Sequence, residues 1–288
     1  MHEQERVLQE LYSERFVDES PRQVYATLLD EGEYLCSWRT MYRLLKARSA
    51  SSDRRRVRRH PAYAKPELVA TAPNQVWTWD ITYLKTHIRG CFYYLYVVMD
   101  IYSRYVVGWL IADRECQTLA EQLLSDTVKK HHVMPGKLTI HADRGAPMKS
   151  QSVSILLERL GVDRSHSRPR VSNDNPYSEA GFRTLKYSPH FPDRFDDFEQ
   201  AEAFCRQYFD RYNTQMHHSG IALLTPSQVH YGQAASVLAA RQATLDAAFD
   251  RDPRRFGYRR PFAGKLPDQV WINAPAVVVT DPLQAAAG

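Results

Sequence analysis

The chain has 288 residues, 43% of them hydrophobic and 25% charged, with a formal net charge of +5. That length suits one sizeable core with one or two small satellites, and the composition argues against a disordered chain. Cys36, Cys91, Cys116 and Cys205 are scattered and form no Cys-x-x-Cys pair, which argues against a zinc finger and against a dense disulfide framework.

The charge is unevenly placed. Residues 1–35 carry three basic and nine acidic side chains, whereas residues 36–66 carry ten basic and one acidic. The N-terminus has no apolar run of the kind a signal peptide needs. Val7, Leu8, Leu11, Tyr12 and Phe16 fall on one face at helical spacing, predicting a first helix over 4–16. Ser20 as N-cap and Pro21 at the first position predict a second, short helix that Gly32 stops. Ser37 can cap a third, with Trp38, Met41, Leu44 and Leu45 inward and Arg39, Thr40, Arg43 and Lys46 available outward. Three such helices read as a helix-turn-helix, with Arg39, Thr40 and Arg43 as candidate DNA contacts; the alternative is a basic, solvated face on a small bundle. Arg54, Arg55, Arg56, Arg58 and Arg59 then place five arginines in six residues. A run so dense suits phosphate contacts, or else a solvated tether between domains.

From Gln75 the pattern changes to strands. Residues 76–85, 92–101 and 104–112 form three candidates joined by turn-like segments, which predicts an antiparallel meander. The apolar stretch from Tyr93 to Val107 is broken by Asp100 and Arg104, so no membrane helix is expected, and a soluble intracellular protein is. A helix at 117–132, a strand closing at Asp143, a helix near 151–160 and a short strand around 162–167 follow. A helix starting near Pro176, an apolar-aromatic helix over 197–213 and an alanine-rich helix at 234–249 complete the helical pattern. Val270-Trp271-Ile272 and Val277-Val278-Val279 predict a small C-terminal β unit, near the basic residues Arg251, Arg254, Arg255, Arg259 and Arg260.

Three acids stand out by position. Asp80 lies inside a strand of β-branched and aromatic residues, where an unpaired carboxylate would be costly. Asp143 closes a second strand before Arg144-Gly145, and strand ends facing a crevice are where open α/β sheets place ligands. Glu179 follows the turn-rich Ser172-Asn173-Asp174-Asn175-Pro176. Mg²⁺ prefers oxygen ligands, keeps several waters and is held by a few carboxylates plus substrate phosphates. Two such ions about 4 Å apart can serve the attacking and leaving oxygens of a phosphoryl displacement. Two further residues bear on this set. Asp100 fits a turn, bonding local amides. His141, on the same strand face as Asp143, reads equally as a core histidine or as a DNA contact.

The motifs Trp77-Thr78-Trp79-Asp80-Ile81-Thr82-Tyr83, His141-Ala142-Asp143-Arg144-Gly145, Asp174-Asn175 with Glu179, and Phe182-Arg183-Thr184-Leu185-Lys186 resemble the DDE integrase core of bacterial insertion-sequence transposases, within the retroviral integrase superfamily. Thirty-five residues lie between Asp143 and Glu179, the interval to which that resemblance points. Tyr212-Asn213, His217-His218 and Thr225-Pro226-Ser227 resemble the end of the same core.

The resemblance implies an α/β protein: an RNase H-like integrase core, a mixed five-stranded sheet with flanking helices, preceded by a small all-α helix-turn-helix domain. The expected boundaries are 1–48 for the helix-turn-helix, 49–73 for a basic linker, 74–232 for the core and 233–288 for a C-terminal helix and β extension. It implies a transposase that cuts DNA and joins the 3′-hydroxyl to a new phosphodiester, with Asp80, Asp143 and Glu179 holding two Mg²⁺ or Mn²⁺ ions per active site and Lys186 holding a DNA phosphate. Alternatives are a nuclease on the same core or a catalytically silent DNA-binding regulator. The expected partners are double-stranded DNA at element ends and target, further copies of the chain on DNA, and an upstream-frame protein carrying a helix-turn-helix and a zipper. The expected location is the bacterial cytoplasm, at the nucleoid.

Overall fold

The computed structural model describes residues 2–16, 19–47, 65–145, 147–168 and 174–275. The chain divides into two compact units, Met1–Ala64 and Lys65–Gly288.

The first unit contains α1 (His2–Leu11), α2 (Pro21–Asp30) and α3 (Trp38–Ala47). Val7, Leu8, Leu11, Phe16, Val24, Leu28, Met41 and Leu45 form its buried core. The caps are the expected ones. Ser20 and Gln23 make a reciprocal capping box at the start of α2, and the Ser37 hydroxyl accepts the Thr40 amide at 3.3 Å at the start of α3. Helix α1 ends earlier than its apolar spacing implies. Bonds from Ser13 N to Glu10 O and from Phe16 N to Ser13 O, each 3.1 Å, tighten the chain into turns, and Phe16 reaches the core from one of these.

The second unit is built on a five-stranded mixed sheet. Its strands are β2 (Val76–Lys85), β3 (Phe92–Asp100), β4 (Val106–Ala112), β5 (Thr139–Ala142) and β6 (Asp163–His166), in the order β4-β3-β2-β5-β6. The meander β2-β3-β4 is antiparallel, whereas β5 and β6 run parallel to β2. Parallel pairing requires crossovers. These are α4 (Gln117–Lys130) before β5 and α5 (Gln151–Arg159) before β6. Alternation along β2 sends Trp77 and Trp79 to the face covered by α4 and α5. Leu84 goes to the other face, with Leu95 and Val97, beneath α6 (Pro176–Lys186) and α7 (Phe198–Thr214). A side chain at Gly108 of β4 would collide with Thr127, so the glycine lets α4 lie close against the sheet.

Asp100 ends β3 and faces the turn that follows. It is fully buried, accepting the Ser103 amide at 2.7 Å, the Ser103 hydroxyl at 2.9 Å and the Asn74 amide at 2.6 Å. Past α7, Thr225 and Gln228 form a capping box on α8 (Pro226–His230), and α9 (Ala234–Arg251) follows.

One expected element differs. The extended stretch before the core contains a strand, β1 (Leu68–Ala70), paired antiparallel with β7 (Val270–Ile272). The predicted C-terminal strand thus finds its partner about two hundred residues upstream. Its apolar face packs with Val76 and Ile101, so burial on the core selects this pairing. The second predicted C-terminal strand, Val277 to Val279, lies outside the described residues.

Candidate active site

Asp80 sits mid-way along β2, and the parallel register Trp79↔Ala142 brings the end of β5, where Asp143 follows, beside it. Glu179 is in the first turn of α6. Strand β2 and helix α6 are joined through a buried polar contact. The Thr78 hydroxyl, on the same face as Asp80, donates to Asn175 Oδ1 and lies 2.9 Å from the Ser178 hydroxyl. Thr78, Asn175 and Ser178 are all buried. Sequence reasoning missed Thr78 and Ser178 as positioning residues. The one signal for Thr78 was a hydroxyl two places before Asp80 on the same strand face.

The Asp80 carboxylate is half-buried and accepts the Ile81 amide at 2.8 Å. Burial is the main cause that pushes its pKa up to about 7; the Ile81 bond opposes this, and the charges of Asp143, Glu179 and Glu115 add to it. Asp143 and Glu179 are therefore both within electrostatic reach of Asp80. Glu115, just before α4, joins them, and sequence reasoning did not place it there. Asp143 is oriented by the Ser167 hydroxyl at 2.5 Å. His141 is fully buried, 3.1 Å from Ser165 Oγ and 3.3 Å from Ser167 Oγ, and burial lowers its pKa, as befits a core histidine.

Lys186, at the other end of α6 from Glu179, donates to the Thr82 hydroxyl at 2.7 Å. Partial burial lowers its pKa and Lys85 reinforces that, while Asp80 acts in the opposite sense, so the ammonium is within electrostatic reach of Asp80. Among the described residues, no three His, Cys, Asp or Glu side chains close around one point as a finished metal site. The donors at the three acids are all oxygens. That chemistry fits Mg²⁺ or Mn²⁺, which complete their shells with water and substrate oxygens, and a cation would offset the charge crowding at Asp80.

In the first unit, Arg39 and Arg43 are exposed on α3, with the Arg39 guanidinium 5.1 Å from the Trp38 ring centre. The Thr40 hydroxyl is 3.2 Å from the Ser37 hydroxyl, so it takes part in the helix cap. Arg54, Arg55, Arg56, Arg58 and Arg59 lie outside the described residues. Near the C-terminal end, Arg254 pairs with Asp252, and Arg260 with Asp246 and Asp250.

The integrase core domain family matches residues 70–172, and a second integrase core domain family matches residues 160–226. The transposase for insertion sequence element IS904 of Lactococcus lactis is 32% identical over 178 residues, an alignment covering 59% of this chain and 68% of that protein. This chain belongs to the insertion-sequence transposase family. Within that family, transposase InsF for insertion sequence IS3A of Escherichia coli is 32% identical over 163 residues, covering 56% of each chain. Among solved structures, the simian T-cell lymphotropic virus intasome in complex with PP2A regulatory subunit B56 gamma aligns with 72% of this chain and 70% of its own, at a TM-score of 0.48 and 18% identity. The transposase core is the α/β, RNase H-like integrase layout that the motifs imply: a mixed five-stranded sheet with helices on both faces. Among its described residues no helix is long and apolar enough to cross a membrane.

Proposed function

We propose that this transposase cuts DNA at the ends of an insertion sequence and joins the freed 3′-hydroxyl to a new phosphodiester, in the bacterial cytoplasm at the nucleoid. The observation that carries this reading is the β2–β5 register that sets Asp143 beside Asp80, with Glu179 in the first turn of the helix bonded to β2 through Thr78, in a chain of this family. Asp80, Asp143 and Glu179 hold two divalent ions per site, Mg²⁺ or Mn²⁺. Bound there, such ions activate the attacking oxygen and stabilise the leaving one. Asp80, Asp143 and Glu179 would each contribute carboxylate oxygens to holding them. Ser167 keeps the Asp143 carboxylate turned toward the site, and Lys186 holds a DNA phosphate beside it.

DNA is held in two ways on this reading. Arg39, Thr40 and Arg43 on α3 meet the groove, and the run from Arg54 to Arg59 meets phosphates. Two element ends have to be held together for joining, so several copies act on the DNA, with an upstream-frame helix-turn-helix and zipper protein as a further partner.

The test is a cleavage and joining assay on labelled element ends. Asp80→Asn, Asp143→Asn and Glu179→Gln, made singly, are expected to cut both activities by at least about a hundredfold while leaving DNA affinity within about twofold. Substantial Mg²⁺-dependent joining by any one variant removes that acid from the site.

A further inference from the structure

The two-stranded sheet β1-β7 packs on the core through Ala70, Val76, Ile101, Val270 and Ile272, with Tyr177 of α6 against the same cluster. From this sheet, polar contacts run to the first turn of α6. The Tyr177 hydroxyl donates to the Trp271 carbonyl at 2.9 Å. Just past β7, Asn273 Nδ2 donates to Asp174 Oδ1 at 2.9 Å and to the Pro66 carbonyl at 3.1 Å. Asp174 is fully buried and also takes the Arg168 amide at 2.9 Å and two guanidinium bonds from Arg168 at 2.9 and 3.0 Å. Four donors, three from nearby Arg168 and one from distant Asn273, thus converge on one carboxylate just before α6. A buried carboxylate is costly unless it is bonded in this way; Arg168 neutralises it, and Asn273 ties it to β7. Asn273 adopts φ of +56°, a left-handed conformation that asparagine tolerates and that follows directly on the strand.

Glu179 is itself exposed, five residues after Asp174 and two after Tyr177. Its place is therefore set by the helix that carries it. We propose that β7 and Asn273 form a strap that fixes the N-terminal turn of α6, making Asn273, Asp174 and Tyr177 positioning residues for the Glu179 carboxylate. This rests on the reading of Glu179 as a metal-holding acid. It gives the C-terminal extension a role in the active site: without the strap, α6 keeps its Leu185 anchor and its contacts with Thr78 but loses a second hold at the end where the acid sits.

The test uses the full chain with Asn273→Gly, which removes the amide while keeping the backbone conformation accessible. Hydrogen exchange at the amides of residues 179–183, Mn²⁺ binding by calorimetry, and the metal dependence of strand cleavage are measured. The expected result is faster exchange in α6, a rise of about tenfold in the Mn²⁺ concentration for half-saturation, and cleavage recovered at saturating Mn²⁺, with DNA affinity unchanged. Val153→Ala, in α5 on the other face of the sheet, serves as a generally destabilised control and should leave the metal dependence alone. Should Asn273→Gly fail to fold, Tyr177→Phe, which removes one hydroxyl, is measured in the same way. Wild-type exchange and Mn²⁺ affinity in the strap variant, or an equal loss in Val153→Ala, overturns the strap. Absence of Mn²⁺ binding by the wild-type chain overturns the metal reading instead, and hydrogen exchange in α6 still decides the strap.

Discussion

Asp80 shows what an acid inside a strand costs. Its folded carboxyl is held near 7 against an ordinary value near 4, mainly by burial, with neighbouring acids adding to the shift. Between those two values the folded chain holds a proton that the unfolded chain releases. Stability from this group is therefore present below about pH 4 and lost as pH rises to about 7. With metal chelated, Asp80→Asn should be more stable than wild type at pH 8 by roughly 1–3 kcal/mol, and the gap should narrow to a fraction of that at pH 4.5. Urea midpoints in EDTA at the two pH values measure this. Equal midpoints at pH 8 would mean that water or a local cation already screens the site.

Helix α6 is the element on which the site turns. It carries Glu179 and Lys186, and it meets β2 through Thr78, Asn175 and Ser178 at one end and through Lys186 and Thr82 at the other. Thr78→Val matches the shape of threonine but removes the hydroxyl, leaving Asn175 and Ser178 without it in a fully buried setting. The expected loss is about 1–3 kcal/mol in urea unfolding with an unchanged m value, accompanied by weaker joining. Thr78→Ser, which keeps the hydroxyl, should recover most of both. A Thr78→Val chain as stable and as active as wild type would show that packing alone seats α6.

Across the whole molecule, burial of histidines sets the acid limit. His131, His141, His166, His218 and His230 all have pKa values lowered by burial, His230 to about 4. The unfolded chain binds these protons near pH 6.5, so their contribution is complete above that value and lost as pH falls toward the folded values. Asp80 and Asp100, raised by burial, act in the opposite sense, but two carboxyls stand against five histidines. Stability should therefore fall between pH 6.5 and 5, by up to about 1.4 kcal/mol per pH unit for each proton of difference. Thermal unfolding at pH 7.5 and 5.5 checks this, and a flat profile would mean that the histidine sites open to water before the chain unfolds.

The order of strands and helices in the core was legible in the sequence because each element carries its own period. Alternation in β2 and the capped helical faces of α2 and α3 are local properties, written within about ten residues. Asp80 and Asp143 could be singled out because acids within a strand and at a strand end are visible without knowing what they touch, and Glu179 because the motif around it resembles the integrase core. Other features depended on segments meeting from far apart. The pairing of Leu68–Ala70 with Val270–Ile272 has no local sign, since a three-residue apolar run is compatible with many partners. Thr78 became an anchor only when α6 was laid on β2, and Asp174, read in sequence as part of a turn, became a buried hub only when Arg168 and Asn273 arrived beside it. A buried polar group depends on its partners for stability, and which partners arrive is decided by the packing of the whole core.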